Sequence, residues 1–166
     1  MKKLFEGLEE NDIVVTGNGS ACVVSFQAAE IKKGQRLFTN SGCASMGYGL
    51  PAALGACIAE GEKRVICLDG DGSLMMNLQE LQTIRYNNCN MKLFVLNNNG
   101  YHSIRQTQNN LFKNGLVGVC DGNGVNFPPF DKLADTFGFR YFKIDSLDGI
   151  EEKLQEVLNT DGPVLC

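Results

Sequence analysis

The 166-residue sequence lacks a long apolar segment and a cluster of basic residues. A helix that crosses a bilayer needs about 20 consecutive apolar residues, and no run in this chain approaches that length. The first residues include two lysines without an apolar stretch after them, so they do not read as a secretion signal. The net charge of −4, without a patch of Lys and Arg, argues against nucleic acid or a membrane as the main partner.

Cysteine occurs seven times, but in no pattern that indicates a metal site or a disulfide framework. The sequence contains no CxxC pair, and its single histidine, His102, offers no zinc-binding spacing. Most of the cysteines lie within apolar runs, where a free thiol behaves as a small hydrophobic side chain. We therefore predict buried, reduced cysteines and a cytoplasmic location, because a reducing compartment keeps thiols free.

Low-complexity tracts are also missing, and the composition is that of a folded protein, with 43% apolar and 20% charged residues. A chain of this length can bury a substantial core of its own. We therefore expect residues 1–166 to form one domain. The final residues, DGPVLC, read as a strand that is still running at the last position, which leads us to expect a fragment of a longer polypeptide.

Two apolar runs in the middle of the chain each end in polar residues and glycine. The run at 65–68 stops at Asp-Gly-Asp-Gly, which leaves Asp71 at the end of a strand, and the run at 91–96 stops at Asn-Asn-Asn-Gly. Between them, helical spacing predicts one helix with a buried face made of Leu74, Leu78, Leu81 and Ile84. Because neighbouring parallel strands end side by side, Asp71 and the asparagines are expected to converge. Carboxylate and amide oxygens beside a helix start suit a hard cation that holds a phosphate ester.

Short strands alternate with helices along the chain. We predict strands at residues 13–15, 36–39, 65–68, 91–96, 140–144 and 164–165. We predict helices at residues 4–10, 21–31, 51–60, 74–84, 102–112, 131–137 and 149–159, with Asp131 capping the sixth. This alternation predicts an α/β fold with a mainly parallel six-stranded sheet and helices on both faces. Residues 113–129 are predicted to form a long loop, which in a compact domain is more often functional than idle.

The segment Gly-Asp-Gly-Ser at 70–73, followed about two dozen residues later by Asn-Asn, closely resembles the thiamine diphosphate motif of pyruvate decarboxylases and acetolactate synthases. The resemblance covers most of the chain and is to the C-terminal, diphosphate-binding domain of the acetolactate synthase large subunit. It implies the thiamine diphosphate-binding fold, and thiamine diphosphate and Mg²⁺ as cofactors.

The same resemblance implies three protein ligands for the metal. They are the Asp71 carboxylate, the Asn98 side chain and the Gly100 carbonyl, with diphosphate oxygens and water completing an octahedral shell. The alternatives in a shifted register are Asp69, Asn97 and Asn99.

Contacts to the rest of the cofactor are implied by the same family. The stretch at 41–56 resembles the aminopyrimidine cradle, in which the carbonyl falls on Ala44, where the family usually has glycine, and the supporting side chain on Met46. Near Ser20 the polar side chains of the family's Gly-Gln-His-Gln segment are missing, so only backbone and hydroxyl contacts are implied there. The full set of implied cofactor contacts is Gly19, Ser20, Ala21, Ala44, Ser45, Met46, Gly70, Asp71, Gly72, Ser73, Asn98, Gly100 and Tyr101.

The reaction that the resemblance implies is decarboxylation of a 2-ketoacid, followed by transfer of the aldehyde unit to an acceptor. In the family, a glutamate on a separate pyrimidine-binding domain activates the cofactor, and no glutamate of this chain has a suitable context. We therefore expect half of an active site here. The other half would come from the same longer chain or from a partner subunit, in a homo-oligomer.

The segment after Tyr101 departs from acetolactate synthases. Those enzymes have a tryptophan near Thr107 in the substrate channel, whereas this chain has no tryptophan, which weakens the expectation of their usual pyruvate-plus-ketoacid pair. Arg105 is a substrate-facing candidate that would hold an anionic group, and a solvated helix arginine is the alternative. His102 is either a proton-transfer residue or a loop-edge histidine without a chemical role.

Two other functions also fit the sequence. One is the diphosphate-binding subunit of a split 2-ketoacid decarboxylase of the sulfopyruvate or phosphonopyruvate type, whose anionic substrates would suit Arg105. The other is a non-catalytic, nucleotide-binding regulatory domain. The latter predicts that a nucleotide, and not thiamine diphosphate with Mg²⁺, stabilises the protein.

Overall fold

One sheet of six strands forms the centre of the computed structural model, which describes residues 1–61, 63–112 and 115–166. The strands are β1 (Ile13–Thr16), β2 (Arg36–Phe38), β3 (Val65–Gly70), β4 (Met91–Leu96), β5 (Arg140–Tyr141) and β6 (Val164–Leu165). Their order across the sheet is β2-β1-β3-β4-β6-β5, and every pair of neighbours is parallel.

Helices precede or connect these strands. They are α1 (Lys2–Gly7), α2 (Gly19–Ala28), α3 (Gly49–Glu60), α4 (Asp71–Leu74), α5 (Glu80–Tyr86), α6 (His102–Leu111), α7 (Phe130–Phe137) and α8 (Ile150–Asn159). None of the helices in the described ranges is long and apolar enough to cross a membrane. Pro51 lies in the first turn of α3. Backbone N–H groups in a first turn have no partner within the helix, so proline costs no hydrogen bond there.

The strand side chains alternate between two apolar cores, one on each face of the sheet. On one face, Val15 and Leu93 pack with residues of α3, α5 and α7. On the other, Val14 and Ile66 pack with residues of α1, α2 and α8. A parallel sheet needs such a cover on both faces, and the predicted α/β class is confirmed.

Three local predictions were wrong. The helix predicted at 74–84 is interrupted by a 3₁₀ turn at Met75–Asn77, where the Asn77 amide donates to the Gly47 carbonyl at 2.6 Å and holds this segment against a neighbouring loop. Asp131 lies inside the first turn of α7, which begins at Phe130; an acidic residue there still complements the helix dipole. The strand predicted at 140–144 ends at Tyr141, because its partner β6 offers a ladder of only two residue pairs.

The long loop follows the sequence pattern, and the cysteines follow it in part, since three of the seven are buried. Residues 115–129 contain neither helix nor strand, while positions 113 and 114 lie outside the described residues. Cys57, Cys67 and Cys89 are buried, and Cys43 is exposed. Burial raises the pKa of the Cys67 thiol well above its ordinary value, so this cysteine packs as an uncharged apolar side chain.

One lysine is buried in the sheet. Lys92, in β4, is 1% exposed. Its ammonium donates to Asn90 Oδ1 at 2.7 Å and to the carbonyls of Thr160 and Gly162 at 2.6 and 2.8 Å. These bonds tie β4 to the turn before β6. Burial, with a smaller contribution from the Arg64 charge, lowers the pKa of Lys92 to about 8.

Lys92 should therefore make the stability of the fold depend on pH. Between its folded pKa of about 8 and the ordinary value of 10.5, the unfolded chain binds a proton that the folded chain does not, so the free energy of unfolding rises with pH. Lys92→Met lacks this titrating group and serves as the reference. Between about pH 7.5 and about pH 10, we expect the free energy of unfolding of the wild type to rise by about 1–3 kcal/mol relative to that of Lys92→Met. Urea denaturation at both pH values measures this difference. A difference that does not change with pH would contradict the shifted lysine.

Candidate functional site

The carboxyl ends of β3 and β4 bring the two polar turns of the sequence together. Gly70, the last residue of β3, pairs with Leu96, the last residue of β4. Asp71 follows at once and begins α4, and residues 97–100 follow β4. The parallel register therefore places the aspartate beside the asparagine turn, as the sequence predicts.

The Asp71 carboxylate organises that turn. It is 1% exposed. Its Oδ2 accepts hydrogen bonds from the backbone N–H groups of Asn98 and Gly100, both at 3.0 Å, and its Oδ1 accepts one from the N–H of Gly72 at 2.8 Å. An ionised carboxylate has about four lone-pair directions. Three are therefore used by N–H groups of the described residues, which leaves one for a ligand.

The Asn98 side chain ends in a polar atom that the fold does not satisfy. Its Oδ1 is buried and has no hydrogen-bond partner among the described residues. A buried amide oxygen without a partner costs about 1–3 kcal/mol, and a cation would satisfy it. The Gly100 carbonyl likewise receives no hydrogen bond within residues 1–61, 63–112 and 115–166. The donor set of carboxylate, amide oxygen and carbonyl fits Mg²⁺.

The backbone of the turn is fixed from the far side by the long loop. Gly100 has a φ of 125°, a conformation that side-chain-bearing residues rarely adopt. A Cβ at this position would lie 2.0 Å from the Val119 carbonyl oxygen. The same carbonyl accepts a hydrogen bond from the Tyr101 N–H at 2.8 Å. The loop at 115–129 thus supports the turn, which gives that predicted loop a concrete role.

A cavity of about 110 Å³ opens at the ends of β1, β3 and β4. Every cofactor contact implied by the family resemblance lines it, with the exceptions of Ala44 and Ser45. The first turns of α2 and α6 both face this cavity. Backbone N–H groups in a first helical turn have no partner within the helix, and with the helix dipole they favour an anion such as a phosphate.

Four further residues that the sequence did not point to line the cavity: Asn18, Leu96, Ser103 and Ile104. His102, which the sequence offers as either a proton-transfer residue or a loop-edge histidine, lines the cavity as well. Leu96 and Asn18 could have been found from the sequence because each is next to a residue selected at a strand end. Ser103 and Ile104 lie in the first turn of α6, and the turn ending in glycine before that helix could have pointed to them. Ser103 brings a hydroxyl to the same helix start that we expect to meet an anion.

The segment that holds Met46 is tied to the start of α4. The Gly47 N–H donates to Ser73 Oγ at 2.9 Å, which keeps Met46 at the edge of the cavity. Ala44 and Ser45 are exposed and contribute no wall to the cavity. Ala44 has a φ of 50°, a left-handed conformation that explains why glycine suits this position in the family.

The shifted-register alternatives lie elsewhere. Asp69 is fully buried beneath the site, where a Cβ on Gly17 or on Gly49 would lie 2.0 and 2.7 Å from its carboxylate oxygens. Burial raises the pKa of Asp69 to about 6, against the opposing hydrogen bond that the Gly70 N–H donates to Asp69 Oδ1 at 2.9 Å. Asn97 and Asn99 are exposed and line a neighbouring groove. None of these three lines the cavity.

Arg105 is directed at the asparagine turn and does not line the cavity. Its Nη2 donates to the Asn98 carbonyl at 2.9 Å and its Nη1 to the Asn99 carbonyl at 3.2 Å. His102 lines the cavity, and its Nδ1 is 3.5 Å from Arg105 Nη2. In this arrangement the guanidinium faces backbone carbonyls, which is a different position from the substrate-facing one that the sequence suggested.

Comparison with known proteins identifies the family of this site. Residues 17–166 match the model of the family described as "Thiamine pyrophosphate enzyme, C-terminal TPP binding domain". The chain belongs to this family. The match confirms the predicted α/β fold and the predicted cofactor, thiamine diphosphate with Mg²⁺ as its usual partner metal.

Acetolactate synthases are among the curated relatives of the chain. The isozyme 1 large subunit of Escherichia coli (strain K12) is 32% identical over 158 residues, which cover 95% of this chain and 28% of the relative. The isozyme 2 large subunit of the same organism is 33% identical over 99% of this chain and 30% of the relative. Acetolactate synthase 1, chloroplastic, of Nicotiana tabacum is 33% identical over 159 residues, which cover 93% of this chain and 24% of the relative. The chain thus spans less than a third of the length of these relatives.

Proposed function

We propose that this chain holds the Mg²⁺–diphosphate end of thiamine diphosphate in a 2-ketoacid decarboxylase or carboligase that resembles acetolactate synthase. The observation that carries the proposal is the buried, unpartnered Asn98 Oδ1 beside the Asp71 carboxylate. With the Gly100 carbonyl they form a set of oxygen donors on one side of the cavity. Oxygen ligands that are held in place by the fold are what Mg²⁺ requires.

The anionic groups of the cofactor would lie against helix starts. Ser20 and Ser73, which lie in the first turns of α2 and α4, both line the cavity. Met46 borders the cavity and would support the rings of the cofactor. When bound, thiamine diphosphate supplies an electron sink for the electrons that the departing CO₂ leaves behind. The role of the chain is therefore to bind and orient the cofactor.

The small volume and open side of the cavity suggest that a second domain completes the cofactor site. The cavity holds about 110 Å³, whereas pockets for small molecules and cofactors are usually about 300–1,000 Å³. Ala44 and Ser45, which the family resemblance assigns to the aminopyrimidine, are exposed. We therefore propose that a pyrimidine-binding domain covers this side. It would come from the same longer chain or from a partner subunit, and it would carry the activating glutamate.

Among the alternatives, the family match favours a thiamine diphosphate site over a nucleotide-binding regulatory domain. The three relatives compared above all carry acetolactate synthase in their names, which favours a carboligase over a split decarboxylase. Because the Arg105 guanidinium donates to backbone carbonyls of the asparagine turn, it is less suited to hold a sulfonate or phosphonate substrate.

A binding experiment with Asn98→Ala tests the metal assignment. This change removes the unpartnered oxygen but keeps the Asn98 N–H that donates to Asp71 and the carbonyl that accepts from Arg105. We expect the affinity for Mg²⁺, at saturating thiamine diphosphate, to fall about tenfold or more, while the melting temperature of the metal-free protein does not fall. Calorimetric titration of the full-length protein measures the first quantity. Unchanged Mg²⁺ affinity would contradict the role of Asn98.

The reaction itself requires an assay on the full-length protein. We expect CO₂ release from pyruvate that depends on thiamine diphosphate and Mg²⁺, with acetolactate as a product. Release of CO₂ from sulfopyruvate or phosphonopyruvate, without carboligation, would favour the split decarboxylase. Thermal stabilisation by ATP or NAD, and none by thiamine diphosphate with Mg²⁺, would overturn the proposed function in favour of the regulatory domain.

A further inference from the structure

The asparagine turn is held between two charged side chains of opposite sign. From one side, the Asp71 carboxylate accepts the N–H groups of Asn98 and Gly100. From the other, the Arg105 guanidinium donates to the carbonyls of Asn98 and Asn99. Charged groups make stronger hydrogen bonds than neutral ones. The backbone of this short turn is therefore fixed at its donors by one residue and at its acceptors by another.

The turn needs this support because its backbone is unfavourable. Asn99 has a φ of 56° and Gly100 one of 125°, so two consecutive residues lie outside the common conformations. Local bonds within the turn are few, the Asn99 N–H donating to Asn97 Oδ1 at 3.2 Å. Without Arg105, the Asn98–Asn99 peptide group would keep only this bond, and the Asn99–Gly100 peptide group would keep only its N–H bond to Asp71.

Arg105 also determines which carbonyls of the turn are bonded within the chain and which one is left for a ligand. It engages those of Asn98 and Asn99, whereas no donor in residues 1–61, 63–112 and 115–166 reaches the carbonyl of Gly100. The two engaged oxygens are turned toward α6. The Gly100 oxygen remains for a cation. A planar guanidinium can reach two neighbouring acceptors with separate N–H groups in a fixed geometry, which a lysine ammonium cannot reproduce.

We propose that Arg105 is a positioning residue for the metal site: it fixes the Asn98–Gly100 turn so that the Asn98 side chain and the Gly100 carbonyl are presented to Mg²⁺. This inference rests on the proposed function of the site. It replaces the expectation that Arg105 binds an anionic substrate. Arg105 touches neither metal nor cofactor in this role and acts through the turn.

Hydrogen exchange on the metal-free full-length protein tests the positioning directly. In Arg105→Met, we expect exchange of the Asn98 and Gly100 amide protons to become about tenfold faster or more, because their bonds to Asp71 depend on the shape of the turn. The Gly17 N–H, which donates to the Leu68 carbonyl at 2.7 Å, reports whether the sheet is intact and should not change. Arg105→Lys should restore part of the protection. Unchanged exchange at both turn amides would overturn the proposal.

Metal titration of the full-length protein separates this proposal from the proposed function. We expect Arg105→Met to weaken Mg²⁺ binding at saturating thiamine diphosphate by about tenfold, without loss of melting temperature in the metal-free protein. Gln106→Met, an exposed change on the same helix, is the control and should bind Mg²⁺ normally. Normal Mg²⁺ binding by Arg105→Met with a raised KM for the 2-ketoacid would overturn the positioning role and leave the proposed function intact. No Mg²⁺-dependent binding of thiamine diphosphate by the wild type would overturn both.

Discussion

Replacing Asp71 with alanine should lower the affinity of the full-length protein for Mg²⁺ and thiamine diphosphate by about 100-fold or more. The carboxylate has two tasks, and alanine removes both. It is the charged ligand of the proposed metal site, and it accepts the N–H groups of Gly72, Asn98 and Gly100. Loss of the second task leaves the turn without its anchor, so Asn98 and Gly100 would also be misplaced. Calorimetric titration with Mg²⁺ at saturating cofactor measures the change.

An exposed aspartate provides the control for this experiment. Asp135→Ala removes the same charge from the surface of α7, and it should leave the Mg²⁺ affinity unchanged. The metal-free Asp71→Ala protein should also be less stable than Asn98→Ala, because only the former leaves two turn amides without their acceptor. Wild-type affinity in Asp71→Ala would remove the basis for the metal site.

The position of this site was predictable because it depends on local patterns and on one rule of sheet geometry. An apolar run followed by Asp-Gly or Asn-Gly marks the end of a strand wherever it occurs. A parallel pairing of β3 with β4 then brings both ends to the same edge of the sheet. The sequence contains both parts of this argument, and the structure agrees on Asp71 and Asn98 as neighbours.

The direction of individual side chains was not predictable in the same way. Arg105 follows Tyr101 by four positions, and from the sequence a helix there predicts only which residues share a face. That its guanidinium turns back to the Asn98 carbonyl depends on the course of the preceding turn. Similarly, the choice between Asp69 and Asp71 depends on space: Asp69 is enclosed by Gly17 and Gly49, which are distant in sequence.

The break in the helix after Asp71 has the same kind of cause. Apolar spacing at Leu74, Leu81 and Ile84 is compatible with one helix, and all three side chains are indeed buried. The 3₁₀ turn between them follows from tertiary bonds, since Asn77 and Ser73 are both bonded to Gly47. Tertiary contacts commonly override helical propensity over a few residues. Here they hold the Met46 segment beside the diphosphate turn.

Gly100→Ala should destabilise the metal-free domain by about 3 kcal/mol or more. The φ of 125° at this position is unfavourable for alanine. The added Cβ would also lie 2.0 Å from the Val119 carbonyl oxygen and 3.0 Å from the Cys120 Cα. Both are backbone atoms, and Val119 is itself fixed by its bonds to Tyr101 and to Asn123, so rotation of a side chain cannot relieve the collision. Urea denaturation measures the loss as a lower midpoint.

A glycine of the long loop separates collision from backbone strain. Gly124 has a φ of 114°, close to the 125° of Gly100, and a Cβ at Gly124 would meet only backbone atoms of Gly118 at the ordinary contact distances of 3.6 and 4.0 Å. Gly124→Ala should therefore cost the backbone strain alone, about 1–3 kcal/mol. The excess in Gly100→Ala would measure the contact between the asparagine turn and the long loop. Equal losses in the two variants would mean that the loop yields to the added methyl group, and that Val119 does not hold the turn in place.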